Sequence, residues 1–187
     1  MKISFQYILN KALVISVAGV FAVGAFSACK DNSMKKSDIK LISDSKLQDS
    51  TFKVLLSFAG IDAANPKLND SLEFMILPLQ ISCPSCRNKT IDSILKHKDN
   101  LGENNYLIVS AKGGRKKMNA YFRDRGGVLP VMPGRIFLDS THLALDYELV
   151  HDNPVIFYAA HRKVYKKVTF LPVTVKDNLH DYFSGTR

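Results

Sequence analysis

Tryptophan is absent from this 187-residue chain, and cysteine occurs only three times, at positions 29, 83 and 86. Three cysteines so placed do not form a framework of structural disulfides, so the core must be held by apolar packing. Gly113-Gly114-Arg115-Lys116-Lys117 lacks the glycine spacing and the following Ser/Thr of a phosphate loop, which excludes that device. The five histidines have no paired spacing. A zinc centre would need two ligands beyond Cys83 and Cys86, so no metal site is expected. No internal repeat and no low-complexity segment stands out. Apolar residues make up 46% of the chain and charged residues 23%, enough for one globular domain. The net charge is +9, but no nucleic-acid-binding motif accompanies it, so a solvated basic surface and no nucleic-acid partner are expected.

Acidic residues are also missing before Cys29, where only Lys2 and Lys11 carry charge. Residues 12–28 form an unbroken run of apolar and small side chains, ALVISVAGVFAVGAFSA, at the short limit for a membrane span. The run ends Phe26-Ser27-Ala28-Cys29. This resembles the lipobox of bacterial lipoprotein signal peptides, with Phe26 where that family usually has Leu. The resemblance implies that residues 1–28 are a signal peptide and that Cys29 becomes the lipidated amino terminus. It removes Cys29 from redox chemistry and anchors the chain to a membrane. The expected location is the cell envelope, facing the periplasm or the cell exterior, where dithiol–disulfide chemistry is available.

Residues 29–50 are rich in Lys, Ser and Asp without a sustained apolar period, and read as a flexible tether. Residues 51–187 read as the folded domain. Within it, 52–58 (FKVLLSF) reads as a strand and 62–70 as a turn. Residues 72–79 (LEFMILPL) and 106–111 (YLIVSA) have the continuous apolar character of strands buried on both faces. Pro78 implies a bulge or a strand end. Residues 84–98 read as a helix with Ile91, Ile94 and Leu95 on one side. A basic helix follows Gly113-Gly114, then a short strand at 135–138 and a short helix within 141–149. A hairpin of 154–160 and 163–170 turns at His161-Arg162, and a final helix covers 175–183. Asp139, Asp146 and Glu148 form no acid–base pair and read as surface or capping residues. Strands separated by helices predict an α/β fold, a mixed sheet with helices on both faces.

The chemistry concentrates in Ile81-Ser82-Cys83-Pro84-Ser85-Cys86-Arg87, between a buried strand and an amphipathic helix. A helix start has unpaired N–H groups and a partial positive charge, which favour a thiolate. Pro84 suits the first turn because its missing N–H would have gone unused. Two intervening residues let the second sulfur reach the first across one turn. Cys83 is then the exposed attacking sulfur, and Cys86 lies deeper and resolves the mixed disulfide.

Over residues 52–187 the chain resembles the thioredoxin-like superfamily, in particular membrane-tethered extracytoplasmic thiol–disulfide oxidoreductases of the TlpA type. The matching strings are CPSCR and Asn153-Pro154-Val155-Ile156-Phe157-Tyr158. The resemblance implies a cis bond before Pro154, with Pro154 beside the two sulfurs. It also implies a substrate groove shaped by Pro84, Asn153 and Pro154, in which Asn153 offers its backbone to a peptide. The chain departs from the family at Ser82, where an aromatic residue is usual. It departs again at Leu77, where many members carry a buried acid. The implied function is thiol–disulfide exchange with a protein dithiol or disulfide, without a cofactor. Two other readings use the same residues. One is a non-enzymatic surface lipoprotein that binds a peptide or partner. The other is copper handling, with His142 or His151 approaching the cysteines.

Overall fold

The computed structural model describes residues 38–185 apart from residue 63. The expected signal peptide and Cys29 lie outside the described residues, as does the expected tether up to residue 37.

A six-stranded sheet forms the frame. In chain order the elements are β1 (Asp38–Leu41), α1 (Ser45–Ala59), a 3-10 turn at Pro66–Asn69, β2 (Leu72–Pro78), α2 (Pro84–His97) and β3 (Asn105–Ser110). They continue with α3 (Gly114–Arg123), β4 (Ile136–Asp139), α4 (Leu143–Asp146), β5 (Val155–Ala160), β6 (Lys163–Thr169) and α5 (Val175–Ser184). The spatial order is β1-β6-β5-β2-β3-β4. β2, β3 and β4 run parallel, whereas β5 pairs with β2, and β6 with β5, in antiparallel fashion. This is the expected α/β class, a mixed sheet.

β2 is central, and all seven of its residues are buried. Alternate residues point to opposite faces of a strand. Phe74 and Ile76 pack with Phe52 and Leu55 of α1 and with Ala144 of α4. Met75 and Leu77 pack with Ile91 and Ile94 of α2, Met118 and Phe122 of α3, and Leu179 and Tyr182 of α5. Helices therefore cover both faces. Each fully buried side chain of this kind contributes about 1.5–3 kcal/mol of transfer free energy. The Tyr182 hydroxyl, inside the second cluster, donates to the Tyr106 carbonyl at 2.9 Å and so leaves no unpaired polar atom there.

Two expectations need correction. Residues 52–58 are not a strand but the second half of α1, which begins at Ser45. Asp44 caps it by accepting from the Leu47 N–H at 2.7 Å, and Gly60 ends it at φ 53°. The side of the helix carrying Phe52, Leu55, Leu56 and Ala59 has helical, not alternating, spacing. The segment expected as a tether to residue 50 also contains β1 and the start of α1, so folded elements begin by Asp38. β1 holds its place by pairing with β6, from Asp38 opposite Thr169 to Leu41 opposite Lys166.

The remaining elements fall where the pattern puts them. Pro78 is the last residue of β2, where its missing N–H does least harm. The β5–β6 hairpin turns at His161 and Arg162 with φ of 50° and 65°. Both residues occupy the left-handed region that a tight two-residue hairpin demands.

Candidate functional site

The β2–α2 junction places both cysteines. β2 ends at Pro78, whose carbonyl accepts the Ser82 backbone N–H at 3.1 Å and also the Ser82 hydroxyl. Ser82 is buried, so the position that is aromatic in the resembled family here ties the loop back onto the strand. Cys83 is the residue that precedes the first helical turn, with φ −43° and ψ 124°, and Pro84 opens α2. Cys86 falls one turn later and is fully buried, whereas Cys83 is partly exposed. Both are free thiols.

The two sulfurs lie in opposed surroundings. The Cys86 backbone N–H favours the Cys83 thiolate most, followed by the Ser85 N–H and the Cys86 thiol. These outweigh partial burial and the Asp152 charge, so the Cys83 pKa lies below the ordinary thiol value. Cys86 is pushed up to about 12, first by burial, then by the neighbouring Cys83 sulfur. The Lys89 ammonium opposes this rise and does not overcome it. The single Cys86 proton has two acceptors within reach, the Cys83 sulfur and the Phe170 carbonyl at 3.9 Å. One sulfur is therefore readily ionised and reachable, and the other keeps its proton in a dry site.

Three chain segments surround the pair. The Cys83 N–H donates to the Asp152 carbonyl at 2.8 Å, which brings the 152–154 loop against the helix start. Pro154 is buried, and its carbonyl accepts the Phe170 N–H at 2.9 Å. Asn153 is half-buried; its Nδ2 donates to Asp152 Oδ1 at 3.3 Å, while its Oδ1 is buried without a partner. From the far side, Lys89 Nζ donates to the Pro172 carbonyl at 3.1 Å, which ties α2 to the β6–α5 loop. Arg87 donates to the Leu79 carbonyl at 3.3 Å, and its guanidinium lies 5.1 Å from the centre of the Tyr121 ring.

The cis bond implied before Pro154 is not present, because no peptide bond among the described residues is cis. Trans is the lower-energy form of an X–Pro bond by about 0.5–1 kcal/mol. Leu77, at the position of the family's acid, is completely buried among apolar side chains. The local acid is Asp152, whose charge both sulfurs feel.

The histidines raised for copper handling do not join the cysteines. Among the described residues, no group of three or more His, Cys, Asp or Glu side chains could hold a metal ion. His142 is buried at the start of α4 with φ 71°, and His151 is exposed.

Asp139, expected as a surface or capping residue, is a cap and not a surface residue. It is buried at the end of β4 and accepts from the Ser110 hydroxyl at 2.7 Å, the Ala144 N–H at 2.9 Å and the Leu143 N–H at 3.0 Å. Burial pushes its pKa up. The Ala144 N–H, the Ser110 hydroxyl, the Leu143 N–H and the Thr141 hydroxyl together outweigh that and hold it below the ordinary carboxyl value. The signal was present, since an acid a few residues before a helical run is a capping pattern.

No protein-family model matches the chain, and no curated protein matches it. Among solved structures it is similar to StoA from Bacillus subtilis, with 13% identity and a TM-score of 0.39 over 60% of this chain and 84% of that one. Among the described residues, no helix is long and apolar enough to cross a membrane.

Proposed function

We propose that this protein is an extracytoplasmic, lipid-anchored thiol–disulfide oxidoreductase that works through Cys83 and Cys86. The observation that carries the reading is the opposed state of two adjacent sulfurs: one stabilised as thiolate at a helix start, one buried and protonated.

In the reducing direction, the Cys83 thiolate attacks one sulfur of a substrate disulfide. The substrate S–S bond breaks, its other sulfur leaves as a thiolate and takes up a proton, and Cys83 is joined to substrate. Cys86 then loses its proton and attacks the Cys83 sulfur. The Cys83–Cys86 bond forms and the substrate leaves reduced, having gained two electrons and two protons. The same steps in reverse oxidise a substrate dithiol. The electrons reside in the cysteine pair, so the proposal invokes no cofactor. Pro84, Asn153 and Pro154 form the substrate side of the site in this reading, and the buried, unpartnered Asn153 Oδ1 would have to be uncovered by a movement of the 152–154 loop before a peptide N–H could reach it. Anchoring belongs to Cys29, and the partner is a protein dithiol or disulfide.

The test is thiol labelling across graded glutathione potentials, followed by insulin reduction. A pair that cycles, with turnover falling to the uncatalysed rate in Cys83→Ser, is the expected result. A pair that stays locked under mild reductant overturns the enzyme and leaves a binding module. Cys86→Ser should accumulate mixed disulfides with the partner protein, because the resolving sulfur is gone. Cys29→Ala should move the chain from the membrane fraction to the soluble one.

A further inference from the structure

A second concave site lies on the α1 face, between β1, α1, the β5–β6 pair and the loop after α4. It encloses about 360 Å³. That falls in the range of small-molecule pockets, which are mostly apolar with a few placed polar groups. Ile42, Leu47, Leu149 and Phe157 supply apolar wall, and Lys40 and Lys167 bring ammonium groups to it.

The two lysines are the unusual feature. Lys40 and Lys167 sit directly opposite each other on β1 and β6, so both project to the same face. Like charges opposite each other across a strand pair repel. Lys167 is half-buried, with its ammonium 5.3 Å from the centre of the Phe157 ring. Burial first, and then Lys40, hold its pKa below the ordinary lysine value, while Asp38 opposes them. Neither ammonium has an ion-pair partner among the described residues; the pairs Lys98–Asp99 and Arg125–Asp92 lie elsewhere. A partly desolvated cation beside a second cation is unfavourable unless an anion joins them. Glu148 also lines the cavity, and its carboxylate disfavours a second negative group on the ligand.

We propose that this cavity binds a small organic monoanion, with its oxyanion head between Lys40 and Lys167 and its apolar body against Phe157, Leu149 and Leu47. The site is separate from the cysteine pair, and its test reads binding rather than thiol exchange.

The probe is 3-phenylpropionate, titrated calorimetrically into the full chain, with inorganic phosphate as head alone and 3-phenylpropanol as body alone. One phenylpropionate should bind per chain, with shifts of the ring resonances of Phe157 and of Tyr147, which also lines the cavity. Phosphate and phenylpropanol should each bind at least about tenfold more weakly, as expected when one half of the recognition is missing. Lys167→Met and Lys40→Met should each weaken phenylpropionate about tenfold. Lys40 lies on an exposed edge strand, so its variant keeps the test valid if Lys167→Met fails to fold. No binding by phenylpropionate overturns the proposal, and so does equal binding by the methionine variants or by phenylpropanol. Phosphate binding as tightly as phenylpropionate overturns the organic class of the ligand.

Discussion

The cysteine loop and the lysine pair handle charge in opposite ways. At the start of α2, the backbone turns N–H groups of Ser85 and Cys86 toward the Cys83 sulfur, so a thiolate there finds its countercharge already in place. Across β1 and β6, two ammonium groups face each other, one of them half-buried, and the protein supplies neither with an ion-pair partner. The first arrangement is complete in itself and prepares a nucleophile. The second is incomplete and is best explained by something that arrives from outside. Asp139 belongs with the first: a buried carboxylate that accepts from the Ser110 hydroxyl and from the Leu143 and Ala144 N–H groups.

The largest expected effect tests the cysteine loop. With Cys86 pushed up to about 12, only about one part in 10⁵ of it is thiolate at pH 7. An ordinary thiol is a few per cent ionised there, and Cys83 lies below the ordinary value. Iodoacetamide should therefore label Cys83 at least about 10³-fold faster than Cys86 in the reduced protein, as read by mass spectrometry. Comparable rates would remove the contrast between the two sulfurs.

Asp139 gives the next effect. Asp139→Ala leaves two helix-start N–H groups and a serine hydroxyl unpaired, and should lower stability by about 2–3 kcal/mol in chemical denaturation. The folded pKa is depressed, so the contribution of this group is present above the unfolded value and lost as pH falls through the folded one. The gap between wild type and Asp139→Asn should narrow in acid. A gap that widens there would contradict the assignment.

The smallest effect tests the lysine pair and has the opposite sign. Lys167→Met should raise stability by about 0.5–1 kcal/mol in the absence of ligand, because it removes repulsion and a desolvated charge. Added salt should stabilise wild type more than the variant by screening the same repulsion. A destabilised Lys167→Met would mean that the ammonium already has what it needs, and the comparison would fail.

The cysteine loop was legible because its signals are local. A continuous apolar run gives β2, CPSC follows at once, and Ile91 and Ile94 place α2. Residues 52–58 misled because a seven-residue apolar window fits a strand as well as a buried helix face. The deciding marks, Asp44 and Gly60, lie outside that window. β1 gave no periodic signal, since four exposed residues become a strand only when β6 is beside them. The lysine pair left no local mark, because Lys40 falls in the segment expected as a tether and nothing near Lys167 in sequence says which strand lies opposite.

Chain order alone thus determined the alternation of strands and helices from residue 72 onward, the junction that carries both cysteines and the chemical types available there. These follow from side-chain periodicity and from the few residues that can start or stop a helix. Tertiary structure decided the rest: the meeting of Cys83 with the Asp152 carbonyl, the sealing of Asp139 and the pairing of Lys40 with Lys167. Each depends on contacts between segments far apart in sequence, and desolvation, which sets the energy of a charge, exists only once those segments have closed around it.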